Sequence, residues 1–220
     1  MYSFIKRLID ILIAGTTFLI FLPIFIPIVI LLKLTGEGYI FYFQKRIGLN
    51  RAYFDIWKFA TMLKDSPNMG TGSITLRNDS RITPMGGFLR KTKLNEFPQI
   101  INVLKGDVSI VGPRPLVDKT FNAYSKHVQD TIYNIKPGIT GIGSIVFRDE
   151  EELISNAKEE PHAFYQRVIA PYKGELEMWY QENASTLTDI KIIFLTAWAI
   201  LFSKSDLHFK VFKTLPKRNF

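Results

Sequence analysis

The chain of 220 residues has no cysteine and only three histidines. The lack of cysteine excludes a disulfide framework, thiol catalysis and a cysteine-based metal site. Acidic residues are fewer than basic ones, 20 against 28, which gives a net charge of +8 at pH 7. This balance suits anionic lipid headgroups or phosphorylated substrates. Because the chain lacks a recognisable nucleic-acid-binding motif, we expect no nucleic acid partner.

Charge is also nearly absent from residues 11–34, where Lys33 is the only charged residue. A run this long is enough for a membrane helix, because roughly 20 apolar residues cross a bilayer core. Pro23 and Pro27 each remove a backbone hydrogen bond, which predicts a sharp kink. Basic residues flank the run on both sides, and positive flanks prefer the cytoplasmic side. We therefore predict that residues 1–34 form a proline-broken, re-entrant membrane helix. A straight single span and a cleaved signal peptide are the alternatives.

Residues 35–220 are enough for one cytoplasmic domain with its own core. Alternating, aromatic-rich segments predict short strands, and apolar residues at helical spacing predict helices. The strands are predicted at Tyr39–Gln44, Tyr53–Lys58 and Val108–Val111, and the helices at Asn95–Lys105, Asp118–Tyr133, Glu150–Asn156 and Leu187–Phe202. The last helix and the tail Phe209–Phe220 suit a membrane interface, with a frayed end as the alternative for the tail. The predicted fold class is α/β, in a membrane-associated monotopic domain.

The predicted chemistry lies around one helix start. Asn95 is expected to cap the helix that follows it, and a helix N-terminus favours a phosphate. Arg90 and Lys91 precede this point, and Arg114 follows it in a rigid Pro-Arg-Pro frame that suits phosphate oxygens. Glu96 is the acidic group in this basic surround, as expected for a carboxylate that holds a divalent metal or handles a proton. The residues thus predict a phosphate-handling site, and an ordinary turn beside an ordinary helix start is the alternative.

A series of short motifs surrounds these residues. They are Lys6-Arg7 with Asp10, Gln44-x-Arg46-x-Gly48, Lys58-Phe59-x-Thr61-Met62, Leu89-Arg90-Lys91-Thr92, Glu96-x-Pro98-Gln99, Asn102-Val103-Leu104-Lys105-Gly106-Asp107, Val111-Gly112-Pro113-Arg114-Pro115 and Pro137-Gly138-Ile139-Thr140-Gly141. In this order the chain resembles the bacterial sugar transferases, which are monotopic phosphoglycosyl transferases. The resemblance covers nearly the whole chain and is most specific from Leu89 to Pro115.

The resemblance implies transfer of a sugar phosphate from a UDP-sugar to undecaprenyl phosphate, with release of UMP. It also implies a re-entrant N-terminal helix, dependence on Mg²⁺, and an aspartate–glutamate dyad whose aspartate forms a phosphosugar intermediate. The enzyme would lie in the bacterial inner membrane, with its catalytic domain facing the cytoplasm, and would start the assembly of a glycan. Membrane lipid is then a further partner, and a homodimer is left open.

The sequence departs from the pattern of this family at four places. Asn95 stands at the aspartate position of the dyad, Ala60 replaces an arginine, Gly143-Ser144 stand where a glutamine is expected, and Glu177 replaces an aspartate. A neutral amide is a far poorer nucleophile than a carboxylate. Together the departures favour a divergent natural branch over an engineered inactivation. Three mechanisms stay open: Glu96 as the nucleophile, direct attack by the lipid phosphate with Glu96 holding the metal, or an inactive relative.

The predicted site residues fall into three groups. Glu96 and Asn95 are the catalytic candidates, with Glu96 also the metal ligand; the candidate phosphate ligands are Arg114, Arg90, Lys91 and Arg81; and the membrane or lipid group is Lys6, Arg7, Asp10 and Pro23. For Arg81 a structural ion pair is the alternative, and the polar members of the third group have the alternative of fixing the helix to the domain. The alternative function is a catalytically silent relative that binds nucleotide or lipid and scaffolds a glycan assembly complex. A single-pass anchor for an unrelated binding domain is the third.

Overall fold

The computed structural model describes residues 2–35, 37–69, 79–202, 205–218 and 220. It contains helices and strands, which confirms the mixed α/β composition. The strands are β1 (Phe41–Ile47), β2 (Tyr53–Phe59), β3 (Ser109–Val111) and β4 (Gly138–Thr140). The helices are α1 (Tyr2–Leu34), α2 (Pro84–Lys91), α3 (Gln99–Lys105), α4 (Asp118–Phe121), α5 (Lys126–Thr131), α6 (Ile142–Val146), α7 (Glu150–Asn156), α8 (Pro161–Phe164), α9 (Ala170–Asn183), α10 (Thr186–Leu201) and α11 (Leu207–Val211).

The chain forms two compact units. Unit 1 comprises Met1–Asp10, Lys45–Phe54 and Gly106–Phe220, and unit 2 comprises Ile11–Gln44 and Asp55–Lys105. The helix α1 and the two strands of the first sheet, β1 and β2, therefore contribute residues to both units. The predicted division into a membrane helix over 1–34 and a domain over 35–220 stays a prediction.

The N-terminal helix α1 runs without interruption through Pro23 and Pro27. The helical assignment therefore continues past both prolines, each of which removes one backbone hydrogen bond, and the predicted kink stays a prediction. Within the described ranges, α1 is the one helix that is long and apolar enough to cross a membrane, a test of length and composition alone. Of its most apolar window, 17% is buried, which disfavours the core helix of a soluble domain. The re-entrant course stays a prediction.

One stripe of α1 packs into the core of unit 2. Phe21, Phe25, Ile28 and Leu32 recur at helical spacing and belong to an apolar cluster that also contains Phe59, Leu89 and Phe97. The ring of Phe25 lies 5.3 Å from the rings of both Phe59 and Phe97. Large apolar side chains on other faces of α1 are exposed, among them Leu12, Leu19, Ile20, Ile26 and Ile30. A continuous apolar surface of this kind is typical of membrane contact.

The core of unit 1 lies between α6, α9 and α10. Ile142, Leu176 and Ile192, one from each helix, are completely buried. The strands β3 and β4 pair in parallel beside them, with Ser109 opposite Gly138. This arrangement places the loop after β3, which carries the Pro-Arg-Pro frame, next to β4.

Several predicted boundaries changed in the structure. The first strand begins at Phe41, two residues later than predicted, and the predicted helix over residues 118–133 is two short helices, α4 and α5. Ser125 explains the division, because its backbone is extended and its hydroxyl accepts from the Val128 N–H to start α5. Gly106 has φ +91° after α3, which confirms the predicted C-terminal cap.

Candidate functional site

A single 3₁₀ turn in unit 2, Leu94–Glu96, carries both residues of the predicted dyad. Asn95 and Glu96 are half-buried in this turn. Lys93, directly before it, has a left-handed backbone with φ 61°. That conformation costs a residue with a Cβ about 1–2 kcal/mol, and such strain clusters at active sites and switch regions. The backbone therefore marks this turn as a candidate site.

The prediction that Asn95 caps the following α-helix is wrong. The helix α3 begins at Gln99, beyond the turn. Asn95 lies inside the turn itself, and Pro98, which has no N–H, cannot donate to the Leu94 carbonyl. That carbonyl instead accepts from the Phe97 N–H at 3.1 Å, which tightens the chain into a 3₁₀ turn. The phosphate site expected at this helix N-terminus is lost with it.

Two cationic side chains of unit 2 interact with the Glu96 carboxylate. Lys58, on β2, places its Nζ 3.4 Å from Glu96 Oε1. Arg90, in the last turn of α2, donates from Nε to Thr61 Oγ1 at 2.8 Å. Burial is the main effect on the pKa of Arg90 and lowers it, while the charge of Glu96 is among those that raise it. A poorly solvated guanidinium gains from an additional anion, so Arg90 remains a good candidate for binding phosphate.

The position of Arg90 and Lys91 is set by the close packing of α2. Thr83 caps this helix, since its Oγ1 accepts from the Gly86 N–H at 3.0 Å. A Cβ on Gly86 would overlap the backbone of Thr61, so only glycine allows the helix to approach this closely. Lys91 is exposed at the end of the helix, and its phosphate-binding role stays a prediction.

Arg81 has the surroundings of a structural residue. It is 3% exposed, and its Nε and Nη2 donate to the two carboxylate oxygens of Asp79 at 2.8 and 2.5 Å. Its Nη1 donates to the carbonyl oxygens of Ser66 and Met69 at 2.8 and 2.9 Å. These contacts favour the structural ion pair over the predicted phosphate-binding role, because they already use N–H donors of Nε and of both Nη atoms.

Glu96 is also the predicted ligand of Mg²⁺. Within the described parts of the chain, no group of three or more His, Cys, Asp or Glu side chains is placed to hold a metal ion. Mg²⁺ usually binds through one or two carboxylates together with substrate phosphates and water rather than in an all-protein cage. The one carboxylate of Glu96 fits that mode of binding.

The Pro-Arg-Pro frame lies in unit 1 and directs one side chain to solvent. Arg114 is exposed, whereas Pro113 and Pro115 are buried. The Tyr133 hydroxyl donates to the Arg114 carbonyl at 2.8 Å and accepts from the Leu116 N–H at 2.9 Å. The backbone of this loop is therefore fixed on both sides of the arginine.

Further contacts hold the same loop. Arg46 Nη1 donates to the Pro115 carbonyl at 3.1 Å, and the Gly138 N–H donates to the Pro113 carbonyl at 2.8 Å. A Cβ on Gly112 would overlap the backbone of Lys136, so the loop approaches the start of β4 without space for a side chain. The loop has the rigidity that the sequence predicts, and the binding of phosphate by Arg114 stays a prediction.

Sequence reasoning did not find a largely buried polar cluster in unit 1. It is formed by Tyr124, Tyr165, Lys173 and Glu177 together with the half-buried Glu150. Lys173 is 3% exposed, and its Nζ donates to Glu150 Oε2 at 2.6 Å. Glu177 lies one turn further along α9 and is 1% exposed. Burial raises its pKa to about 8, against the opposing charge of Lys173. Within the described residues, Glu177 Oε2 has no hydrogen-bond partner.

Tyr165 is the member of this cluster whose pKa depends on the charge of Arg114. It lies in a π-helical turn, Tyr165–Ile169, a local form that recurs at functional sites. Burial raises its pKa to about 12; a hydrogen bond with Tyr124 and the charge of Arg114 lower it, and the charges of Glu150 and Glu177 raise it.

Two of the sequence departures are in direct contact. A Cβ added to Gly143 would lie closer to Oε1 of Glu177 than two nonbonded atoms can approach. A glutamate is one methylene longer than an aspartate, and its carboxylate occupies the space that the missing side chain at position 143 leaves. The two departures therefore complement each other, which favours a divergent natural branch over isolated changes.

The polar residues at the start of α1 make contacts within unit 1. Lys6 Nζ donates to Asp189 Oδ2 at 2.7 Å and to the Val111 carbonyl at 2.8 Å. Asp189 also accepts a hydrogen bond from Tyr180 at 2.6 Å. These contacts favour the interpretation that Lys6 fixes the helix to the domain over contact with a lipid phosphate.

Asp10 makes an equivalent attachment one helical turn later. It is 3% exposed, and its Oδ1 accepts from Ser109 Oγ and from the Ile110 N–H, both at 2.9 Å. Arg7 lies beside Gly106, with Nη2 3.5 Å from the position that a Cβ on this glycine would take. Of the predicted lipid group, Asp10 is therefore a structural residue, and lipid contacts of Arg7 and Pro23 stay predictions.

Sequence reasoning missed other residues that the site depends on. A signal for Lys58 was present in the sequence, because it is a cation between the aromatic residues Trp57 and Phe59 of β2. The sequence did not indicate that Tyr133 and Arg46 hold the Pro-Arg-Pro frame, because both reach it from distant parts of the sequence.

Comparison with known proteins gives a consistent result. The sequence profile described as bacterial sugar transferase matches residues 1–203 of the chain. The exopolysaccharide production protein ExoY of Rhizobium meliloti (strain 1021) is 30% identical over 215 residues, which cover 91% of this chain and 87% of ExoY. The chain is thus similar to a relative over nearly the full length of both.

Two longer relatives carry more specific names. UDP-N-acetylgalactosamine-undecaprenyl-phosphate N-acetylgalactosaminephosphotransferase of Aeromonas hydrophila is 31% identical over 202 residues, covering 91% of this chain and 44% of the relative. UDP-glucose:undecaprenyl-phosphate glucose-1-phosphate transferase of Escherichia coli (strain K12) is 32% identical over 204 residues, covering 91% of this chain and 41% of the relative. The chain therefore spans less than half the length of these two proteins.

Proposed function

Because the chain belongs to the bacterial sugar transferase family, we propose that it is a phosphoglycosyl transferase that moves a sugar 1-phosphate from a UDP-sugar to undecaprenyl phosphate. In the overall reaction an oxygen of the acceptor phosphate becomes bonded to the phosphorus that carries the sugar. The bond from that phosphorus to the UMP oxygen breaks, and UMP leaves. The product is a lipid diphosphate-linked sugar, a starting intermediate for a glycan such as an exopolysaccharide. The match of the family profile over residues 1–203 carries this proposal.

Glu96 is the carboxylate on which we propose that turnover depends. Its position on a strained turn, with Lys58 at 3.4 Å and Arg90 as a further cationic neighbour, suits a site that handles phosphate charge. Glu96 would hold Mg²⁺, and the bound ion would supply charge neutralisation for the phosphate oxygens. Asn95 beside it is a poor nucleophile, so either Glu96 attacks the UDP-sugar itself or the lipid phosphate attacks directly.

Arg114 is the proposed ligand of a substrate phosphate. Its guanidinium is exposed on a loop whose carbonyls are held by Tyr133 and Arg46, so the backbone of the loop loses little conformational freedom on binding. Charge-assisted hydrogen bonds of this type contribute on the order of 1.5–3 kcal/mol.

The exposed apolar faces of α1 support a place in the membrane. We propose that the helix enters and leaves the bacterial inner membrane on the cytoplasmic side, because both of its flanks are positively charged. Lys6 and Asp10 fix the start of the helix to unit 1, which keeps that end beside the protein. A homodimer is a further proposal, which the mass of the detergent-solubilised chain would test.

A second candidate function rests on Asn95. A family member without the dyad aspartate would bind nucleotide or lipid without turnover and serve a glycan assembly complex as a scaffold. The experiment that separates the two measures UMP release from a panel of UDP-sugars with polyprenyl phosphate and Mg²⁺. We expect release by the unmodified chain, loss in Glu96→Gln, and no loss in Glu175→Gln, a matched change at an exposed position.

The same assay resolves the role of Asn95. If the lipid phosphate attacks directly, Asn95→Ala retains activity. If the site is otherwise a normal dyad that lacks only its aspartate, Asn95→Asp increases activity. Intact-mass analysis after incubation with a UDP-sugar alone detects a covalent intermediate. An adduct on Glu96 identifies it as the nucleophile, whereas an adduct on position 95 contradicts the role proposed for Glu96. No UMP release from any donor by the unmodified chain or by Asn95→Asp would favour the scaffold.

A further inference from the structure

The start of α1 is hydrogen-bonded to β3, within unit 1. Asp10 Oδ1 accepts from Ser109 Oγ and from the Ile110 N–H, both at 2.9 Å, and Lys6 Nζ donates to the Val111 carbonyl at 2.8 Å. Because Lys6 and Asp10 are four positions apart, they lie on the same side of the helix. In the described part of the chain β3 pairs with β4 alone, and these two side chains of α1 bind all three of its residues.

A network of polar side chains holds the ammonium of Lys6 in one orientation. The side chain of Lys6 is 13% exposed and that of Asp189 is 6% exposed. Besides the Val111 carbonyl, Lys6 Nζ donates to Asp189 Oδ2 at 2.7 Å and to the Tyr180 hydroxyl at 3.5 Å. Asp189 also accepts from the hydroxyls of Tyr2 and Tyr180, at 2.9 and 2.6 Å. Without this ammonium, a buried carboxylate and the end of β3 lose a common partner, so the position of the strand end depends on it.

The strand end that Lys6 holds leads directly into the Pro-Arg-Pro frame. Val111 precedes Arg114 by three residues, and the two prolines of the frame have fixed φ angles. Gly112, between them and the strand, approaches the backbone of Lys136 without space for a side chain. A segment this short and this closely packed has little freedom to bend. A displacement of Val111 is therefore passed on to Arg114.

We propose that Lys6 and Asp10 are positioning residues for Arg114, so that the affinity of the substrate site depends on the contact between the start of α1 and β3. The proposal rests on the proposed function, since it takes Arg114 as a ligand of substrate phosphate. Both residues act through the backbone of β3 rather than by touching the phosphate. When the Lys6 ammonium is removed, the strand end shifts, and we expect affinity for a nucleoside diphosphate to fall roughly threefold to tenfold.

The test uses the full chain in detergent micelles and measures its affinity for UDP by calorimetry. We expect Lys6→Met, which removes the donors but keeps a side chain of similar length, to weaken UDP binding by the stated factor. Lys6→Arg should recover part of the affinity, because an arginine again donates to a carbonyl and a carboxylate. Asp10→Ala removes the other contact with β3 and should weaken binding as well. Ser3→Ala, at an exposed position of the same helix, should match the unmodified chain.

A second comparison separates positioning from a general loss of stability. If Lys6 acts through Arg114, the effect of Lys6→Met on UDP affinity should largely disappear in a chain that already carries Arg114→Ala. Leu215→Ala is the control for stability, because Leu215 of the C-terminal segment is buried in the main core of unit 1, which also shows that this segment is not frayed. This variant should lower the unfolding temperature and leave UDP affinity unchanged.

Unchanged UDP affinity in folded Lys6→Met and Asp10→Ala would overturn the proposal. An equal loss with and without Arg114→Ala, or the same loss in Leu215→Ala, would overturn it as well, because the effect would then not pass through the arginine. If Lys6→Met does not fold, Asp10→Ala with and without Arg114→Ala decides by the same comparison. If the unmodified chain binds no UDP, the proposed function falls together with this inference, whereas an unchanged affinity in the variants refutes this inference alone.

Discussion

The contact between Gly143 and Glu177 gives a prediction that one side chain exchange can test. Gly143→Ala places a methyl group against Glu177 Oε1, so the carboxylate of Glu177, which is 1% exposed, would have to shift within a buried site. Overpacking of this kind costs about 1–3 kcal/mol, whereas alanine in a helix normally gains about 0.5–1 kcal/mol over glycine. We therefore expect Gly143→Ala to lower the free energy of unfolding by roughly 1–2 kcal/mol.

Glu177→Asp should reverse this loss. By itself it shortens a buried side chain and costs about 1 kcal/mol for the missing methylene. In the double variant the shorter acid makes room for the new methyl group, so the two effects should couple by about 1–2 kcal/mol in the favourable direction. This coupling is specific to the two positions, because no general helix effect depends on residue 177.

Thermal unfolding of the four proteins in detergent, followed by tryptophan fluorescence, measures the coupling. For a chain of this length 1 kcal/mol corresponds to roughly 2–4 °C in the unfolding temperature. Gly87→Ala is the matched control, since this helical glycine in α2 has only an ordinary contact at 4.0 Å and should gain stability as alanine. A Gly143→Ala variant as stable as this control, or a double variant that shows no rescue, would refute the complementarity of the two departures.

Three other predictions concern charge, binding and topology. The folded chain keeps a proton on Glu177 up to about pH 8, whereas the unfolded chain releases it near pH 4.5, so the free energy of unfolding should fall as the pH rises from about 4.5 to about 8. Glu177→Gln should remove this pH dependence in thermal unfolding. Arg114→Ala should weaken UDP binding about tenfold or more by calorimetry, and equal affinity in a folded variant would reduce the frame to a structural turn. Ser3→Cys and Ser80→Cys should react with an impermeant thiol reagent from the same side of the membrane, and opposite sidedness would establish a straight span.

Elements governed by local periodicity could be predicted closely from the sequence. The helix α7 has the predicted bounds Glu150–Asn156, and α10 begins and ends one residue before its predicted limits. The cap at Gly106 followed from the requirement for a positive φ. The Pro-Arg-Pro frame likewise behaves as its two fixed φ angles suggest, with Arg114 directed outward.

Features that depend on tertiary contacts could not be predicted in this way. The turn that carries Glu96 stands where the preference for proline in a first helical turn suggested a helix start, and nothing local indicated its hydrogen bond from the Phe97 N–H to the Leu94 carbonyl. The partner of Glu177 at Gly143 is 34 residues away in the sequence, so nothing local indicated that the two departures belong together. Asp79 was close enough to Arg81 to suggest an ion pair, but its bidentate geometry depends on a loop that also supplies two carbonyls.

The attachment of the N-terminus bears on how the chain is made. Lys6 pairs with Asp189, a residue 183 positions later, so the contact cannot form until residue 189 has left the ribosome. The apolar helix α1 therefore emerges well before its polar partner and stays without this contact while the residues between them are translated. Partition of its exposed apolar surface into lipid during this interval would keep it from aggregating. A chain that lacks the Asp189 carboxylate should therefore still be inserted into the membrane. Its defect should appear only afterwards, as incomplete folding in the membrane.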